Sequence, residues 1–190
     1  VAECQALVGL SDGVGDPALA LIDGSLILWG LANQDYDGSH KFVREELLTR
    51  GLVPALDQLS KRDGLALASY ISLPDGSEVV NTLRLALCPL EPANCDRCRK
   101  EKEQQECQIV EGVLDRQLFF ERLRPGQRSP LFLTTSRIVQ EYYGPHRVAF
   151  FYLRIEEEVA RVEVPLWVEE RGLVGLVHAV LLEQCRLGSF

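Results

Sequence analysis

Two sets of residues in this chain have the types and spacing that chemistry requires. The first is a carboxylate out of place. Asp23 stands inside ALALIDGSLILWG, an almost wholly apolar stretch from Ala18 to Gly30. A buried, ionised aspartate is costly unless it is paired, hydrogen-bonded or bound to a cation. The following Gly24 lets backbone or ligand approach closely, and Ser25 adds a hydrogen-bonding group. An aspartate presented to a cleft by a core strand suits Mg2+ or Mn2+, which take oxygen ligands and complete their shells with phosphate oxygens. A structural reading competes: two strands meet at Asp23-Gly24, and the aspartate shapes a hairpin turn. Glu3, in VAECQALVGL, is a second acid; it converges on Asp23 if its helix packs beside the strand, and otherwise is an exposed helix residue.

The second set is sulfur. Of six cysteines, four cluster as Cys88-x6-Cys95-x2-Cys98-x8-Cys107. Thiols grouped around a central CxxC read as a metal site, most simply a structural Zn2+ held by four thiolates. The spacing is not that of a standard finger. An iron–sulfur cluster and cysteines that are free or disulfide-bonded remain alternatives. Cys4 and Cys185 sit among apolar neighbours and read as core residues.

The elements that must position these groups can be read from pattern. Val1–Leu10 is the end of an amphipathic helix, and Ser11–Pro17 is turn chemistry. Ala18–Ile22 is a strand, with Leu26–Leu31 as a second extended run. His40–Arg62 has helical apolar spacing that Pro54 breaks or kinks. Leu65–Ile71 is a strand. A second DGS, Asp75–Ser77, lies in a polar turn where Asp75 or Ser77 caps a helix over Glu78–Leu87. Cys88–Cys107 is a charged loop. Helices are expected at Leu114–Leu123, Ser136–Tyr143 and Leu173–Cys185, and a strand at Leu131–Thr134. Val148–Ile155 and Val159–Val164 form a hairpin across an acidic turn. Intermixed helices and strands make the class α/β with a mixed sheet and one packed core.

The chain has 190 residues, 46% of them hydrophobic, enough for one domain. No apolar run reaches the roughly 18–20 residues that span a bilayer, so the expectation is a cytoplasmic protein with no membrane partner. The net charge of −8 argues against loose nucleic-acid binding over the whole surface. A local basic groove is still open, because Arg124 and Arg128 sit together in LRPGQRS. The chain contains no methionine and starts within a helix, which suggests a piece of a longer chain.

The motifs taken in order are LIDGSLILW, ALASYISLPDGSEVVNTLRL, LDRQLFFERLRPGQRSPLF, VAFFYLRIEEEVARVEVPLWV and LVHAVLLEQC. Together they resemble the NurA family of DNA double-strand-break repair nucleases over nearly the whole chain. The resemblance implies an RNase H-like mixed sheet flanked by helices, a homodimer, and a Mn2+-dependent (or Mg2+-dependent) nuclease that resects DNA ends with a HerA-type hexameric ATPase. Asp23 matches the family's mid-chain DGS aspartate and Glu3 its helical glutamate. The family's early aspartate and its C-terminal histidine have no counterpart within residues 1–190. The expected organisation is therefore a single NurA-like domain over 1–190, lacking its N-terminal strand and C-terminal segment, with a Cys-rich insert at 88–107. His178 reads as a satisfied structural histidine. Arg124, Arg128 and Arg161 are candidate DNA contacts, although Arg161 and Glu163 in RVEVP also read as a mutual ion pair. Two other functions stand beside the nuclease: a catalytically inactive NurA-like scaffold that binds DNA or a partner ATPase, and a zinc-stapled interaction module unrelated to nucleases.

Overall fold

A computed structural model of the chain describes residues 2–31, 38–101 and 106–188, with the side chains of 38–41, 99 and 101 left aside. Its centre is a five-stranded mixed sheet in the order β1-β2-β5-β4-β3. The strands are β1 (Ala18–Asp23), β2 (Leu65–Ile71), β3 (Phe132–Leu133), β4 (Val148–Ile155) and β5 (Glu158–Pro165). β1 and β2 run parallel, with Asp23 opposite Tyr70, and the other neighbours are antiparallel. Three inner strands, β2, β5 and β4, are buried almost throughout. That is why LALASY and VAFFYL read as continuous apolar runs rather than alternating ones: both faces are covered. β4 and β5 form the expected hairpin, turning at Glu156, whose φ is +35°.

The helices are α1 (Ala2–Ser11), α2 (Gly38–Glu45), α3 (Val53–Leu59), α4 (Glu78–Ala86), α5 (Cys95–Glu101), α6 (Asp115–Arg122), α7 (Arg137–Tyr142), α8 (Leu166–Glu170) and α9 (Val174–Arg186). A parallel pair needs a crossover, and α2 and α3 supply it between β1 and β2. They are joined through a π-helical stretch, Glu46–Leu52, just before Pro54. The expected break therefore takes the form of a widened turn, not a loop. The larger apolar core gathers Cys4, Leu48, Leu56, Leu59, Val177 and Leu181 against the sheet. A smaller one, on the side of α6, stacks Phe119 on Tyr152 with ring centroids 4.7 Å apart.

Three expectations need correction. Leu26–Leu31 is not a strand: the chain leaves the sheet after Asp23, buries Leu26 and Ile27, and forms a short 3-10 turn over Trp29–Leu31. No hairpin therefore forms at Asp23-Gly24. The Cys-rich segment is not all loop, since it holds α5 and a 3-10 turn at Glu106–Gln108. Neither Asp75 nor Ser77 caps α4 through its side chain. Asp115 does, from the start of α6, taking the Val79 and Val80 N–H groups at 3.0 and 2.8 Å.

Candidate active site

The site begins at the end of β1. Gly24 donates its N–H to the Tyr70 carbonyl at 3.0 Å, the last rung of the β1–β2 ladder, and its φ of +96° then turns the chain. A side chain at Gly24 would be strained at that φ, which accounts for the glycine of the first DGS. The turn beyond Gly24 is held from across the sheet. The Glu163 carboxylate, fully buried on β5, accepts the Ser25 hydroxyl at 2.7 Å and the Leu26 N–H at 2.9 Å on one oxygen. Tyr143 donates its hydroxyl to the Leu26 carbonyl at 2.9 Å and accepts the Leu28 N–H at 3.0 Å. Ser25 in turn accepts the Ile27 N–H at 3.0 Å. These bonds satisfy the backbone of the turn inside the core, where unpaired groups would be costly. They are what bends LILW away from the sheet.

Asp23 is left outside this network. Its side chain is exposed, and among the described residues it has neither a hydrogen bond nor an ion pair. It stands at the carboxyl end of a parallel strand, where ligands of open α/β sheets collect. Glu3 is exposed in the first turn of α1, a helix that packs on β1. Among the described residues, no three His, Cys, Asp or Glu side chains are grouped so as to hold a metal ion. The carboxylate of Asp23 fits a hard cation by donor type and availability, and phosphate oxygens commonly complete such shells.

The charged pair in RVEVP lies where alternation puts it: Arg161 and Glu163 share one face of β5. Arg161 donates Nε to Glu163 at 2.9 Å and Nη1 to Glu78, at the first position of α4. Its guanidinium lies over the Phe150 ring at 3.7 Å, a further source of cation stabilisation. Burial works against the charge of Arg161, but Glu163 and then Glu78 outweigh it and raise its pKa above the ordinary value. Glu78 also accepts the Thr134 hydroxyl at 2.8 Å, just past β3. A ladder of partners thus runs from Ser25 through Glu163, Arg161 and Glu78 to Thr134. Beside it opens a cleft of about 430 Å3 whose walls include Ser25 of the first DGS, Asp75 and Gly76 of the second, and Arg161.

Of the proposed DNA contacts, Arg161 is only 4% exposed and engaged by two carboxylates, yet it lines the cleft and its Nη2 has no hydrogen-bond partner among the described residues. Arg128 bonds the Ser129 carbonyl and lies over Phe151. Arg124 is exposed. His178 contacts the Gly126 carbonyl at 3.0 Å, in keeping with a structural role. All four clustered cysteines line one pocket.

A family model described as the NurA domain matches residues 7–187. The chain belongs to the NurA family. NurA proteins are nucleases linked to DNA repair and to an ATPase partner. The zinc-stapled module unrelated to nucleases is thereby set aside. No curated protein and no solved structure matches the chain. The matched span contains Asp23, the three arginines and the four cysteines, whereas Glu3 lies just before it. No helix among the described residues is long and apolar enough to cross a membrane.

Sequence reasoning missed Glu78, Asp115 and Tyr143. Arg161 and Glu163 carried a signal, being two charges at period two in an otherwise apolar strand. Asp115 carried none: its partners are Val79, Val80 and the Tyr152 hydroxyl at 2.7 Å, all remote in sequence.

Proposed function

We propose that this NurA-family chain is a metal-dependent DNA nuclease that works on DNA ends in double-strand-break repair, in the cytoplasm, as an RNase H-like homodimer with a HerA-type hexameric ATPase. The observation that carries the reading is Asp23: an exposed, unpartnered carboxylate on a rigid strand end, beside a turn that buried groups lock in place. Asp23, with Glu3 from α1, would hold Mn2+ or Mg2+. A cation there supplies Lewis-acid stabilisation of the phosphodiester and an activated water. The chain's own residues do the positioning. Glu163, Ser25 and Tyr143 fix the turn after Asp23, and Arg124 gives its exposed charge to the DNA backbone.

One observation favours a second reading, a scaffold that binds DNA or the ATPase without cutting: no three acidic or histidine side chains are grouped around Asp23 so as to hold a metal ion among the described residues. A cleavage assay on linear DNA with added Mn2+ separates the two. For the nuclease, Asp23→Asn lowers cleavage by about a hundredfold or more, worth several kcal/mol of barrier. Its stability stays within ~0.5 kcal/mol of the parent, as for other exposed substitutions. Undiminished cleavage by Asp23→Asn overturns the assignment of Asp23. Absence of cleavage by the parent, with DNA or ATPase binding kept, establishes the scaffold.

A further inference from the structure

The described residues of 88–113 form no apolar core. Among the described side chains of that segment Cys98 alone is buried, while Ile109 is 78% exposed. A segment of this size needs something other than apolar burial to order it, and small units without a core use metals or disulfides. The thiols are brought together from three short elements. Cys88 comes just after the end of α4, with its N–H on the Leu85 carbonyl at 3.2 Å. Cys95 and Cys98 share one face of α5, as three-residue spacing requires. The start of that helix is fixed by Asn94, whose Oδ1 accepts the Arg97 N–H at 2.9 Å. Cys107 lies in the 3-10 turn Glu106–Gln108. All four line a single pocket of about 140 Å3. Arg84 lines it too, donating Nε to the Cys107 carbonyl at 3.3 Å and reaching Glu111 at 3.6 Å.

We propose that Cys88, Cys95, Cys98 and Cys107 bind a structural zinc ion, which serves as the core of residues 88–113. Soft thiolates select zinc over the hard cations expected at Asp23. Four thiolates around Zn2+ leave a net negative charge; of the charged groups that line the pocket, the Arg84 guanidinium offsets it and Glu111, its ion-pair partner, adds to it. The described sulfurs line the pocket without forming a closed ligand group, so binding draws the short turns inward, coupling metal to local folding. The site is separate from the DGS cleft and does not depend on the nuclease reading.

The test uses the full chain, purified without chelator and analysed for metal by mass spectrometry. A single zinc per chain is expected. Substitution by Co2+ should give the intense visible absorption of a tetrahedral thiolate site. Stripping the zinc should open 88–113 to protease while the rest of the domain keeps its circular dichroism. Cys98→Ser should lose affinity by more than the roughly 10–100-fold that an outer-shell change costs. Cys185→Ser, on α9 and beside Tyr70, should retain the metal. The proposal is overturned by a metal-free chain whose thiols titrate freely, by iron and sulfide in place of zinc, by zinc that survives Cys98→Ser, or by unchanged protease resistance after stripping.

Discussion

Replacing Glu163 with glutamine tests whether the turn after Asp23 is held by a charge or merely by shape. The side chains are isosteric, so packing is conserved. The carboxylate accepts Ser25 and Leu26 on one oxygen and Arg161 Nε on the other, at 2.7–2.9 Å. Glutamine offers one acceptor oxygen and two N–H donors. If the oxygen faces Arg161, the Leu26 N–H loses its acceptor. If it faces Leu26, two donors meet at Arg161. Either way a buried donor is stranded, which costs about 1–3 kcal/mol. The substitution also removes one of the two charges that offset the Arg161 guanidinium. Breaking a buried pair from one side costs about 3–5 kcal/mol, and the stranded donor belongs to that same cost. The expected loss is therefore ~3–5 kcal/mol, a large part of the roughly 5–15 kcal/mol that a domain has. At about 2–4 °C per kcal/mol for a chain of this size, Tm falls by roughly 6–20 °C.

Urea unfolding gives the free energy, and native-state hydrogen exchange at Leu26 gives the locality. A double-mutant cycle with Ser25→Ala should show a coupling of about 0.5–3 kcal/mol, as for groups in one network. A Glu163→Gln protein within ~0.5 kcal/mol of the parent, with unchanged exchange at Leu26, would show that shape alone holds the turn.

Asp115→Asn strands a first-turn N–H of α4 or opposes an amide N–H to it, so urea unfolding should show a loss of about 2–4 kcal/mol; a loss under ~0.5 kcal/mol would show that α4 does not depend on this cap. Burial lifts the hydroxyl pKa values of Tyr70, Tyr143 and Tyr152 above the ordinary 10.0. The folded chain keeps protons that the unfolded chain releases, so this contribution is complete below about pH 10 and declines as the pH rises further. Absorbance titration should show three of the five tyrosines ionising only together with unfolding, and reversible ionisation of all five near pH 10 in the folded state would contradict it.

Much of the framework is legible because it rests on local pattern. Leu65–Ile71 and the Val148–Ile155 strand are bounded apolar runs, and the structure has them at those limits. The illegible parts are imposed from a distance. LILW has four apolar residues and no turn signal of its own, so extension is its natural reading; Glu163 and Tyr143, distant in sequence, supply the acceptor and donor that make a buried bend affordable. The second DGS has every local mark of a self-capped helix, yet Asp115 takes the role. Asp23 stands out in the sequence by its type among apolar neighbours, but the burial that those neighbours suggest is not there: the strand ends at Asp23 and its side chain is exposed, so no desolvation cost has to be offset.

The two kinds of acid in this region sort by what surrounds them, and that sorting bears on the site. Buried ion pairs are seldom the best way to add stability, as apolar residues of like volume often do better. A ladder from Ser25 to Thr134 through Glu163, Arg161 and Glu78 is therefore better explained by the positions it fixes. It joins the turn after β1, the first residue of α4 and the end of β3 into one block around the cleft. Every acid within that block is neutralised or hydrogen-bonded, and Asp115 is satisfied in the same way by α4 and Tyr152. Asp23 alone of the strand-borne acids is rigid in backbone and free in side chain among the described residues. Precise placement of an exposed carboxylate is what a cation-dependent site demands of its supporting shell. If Asp23 holds a cation as proposed, this block is the shell that would keep its strand end in place.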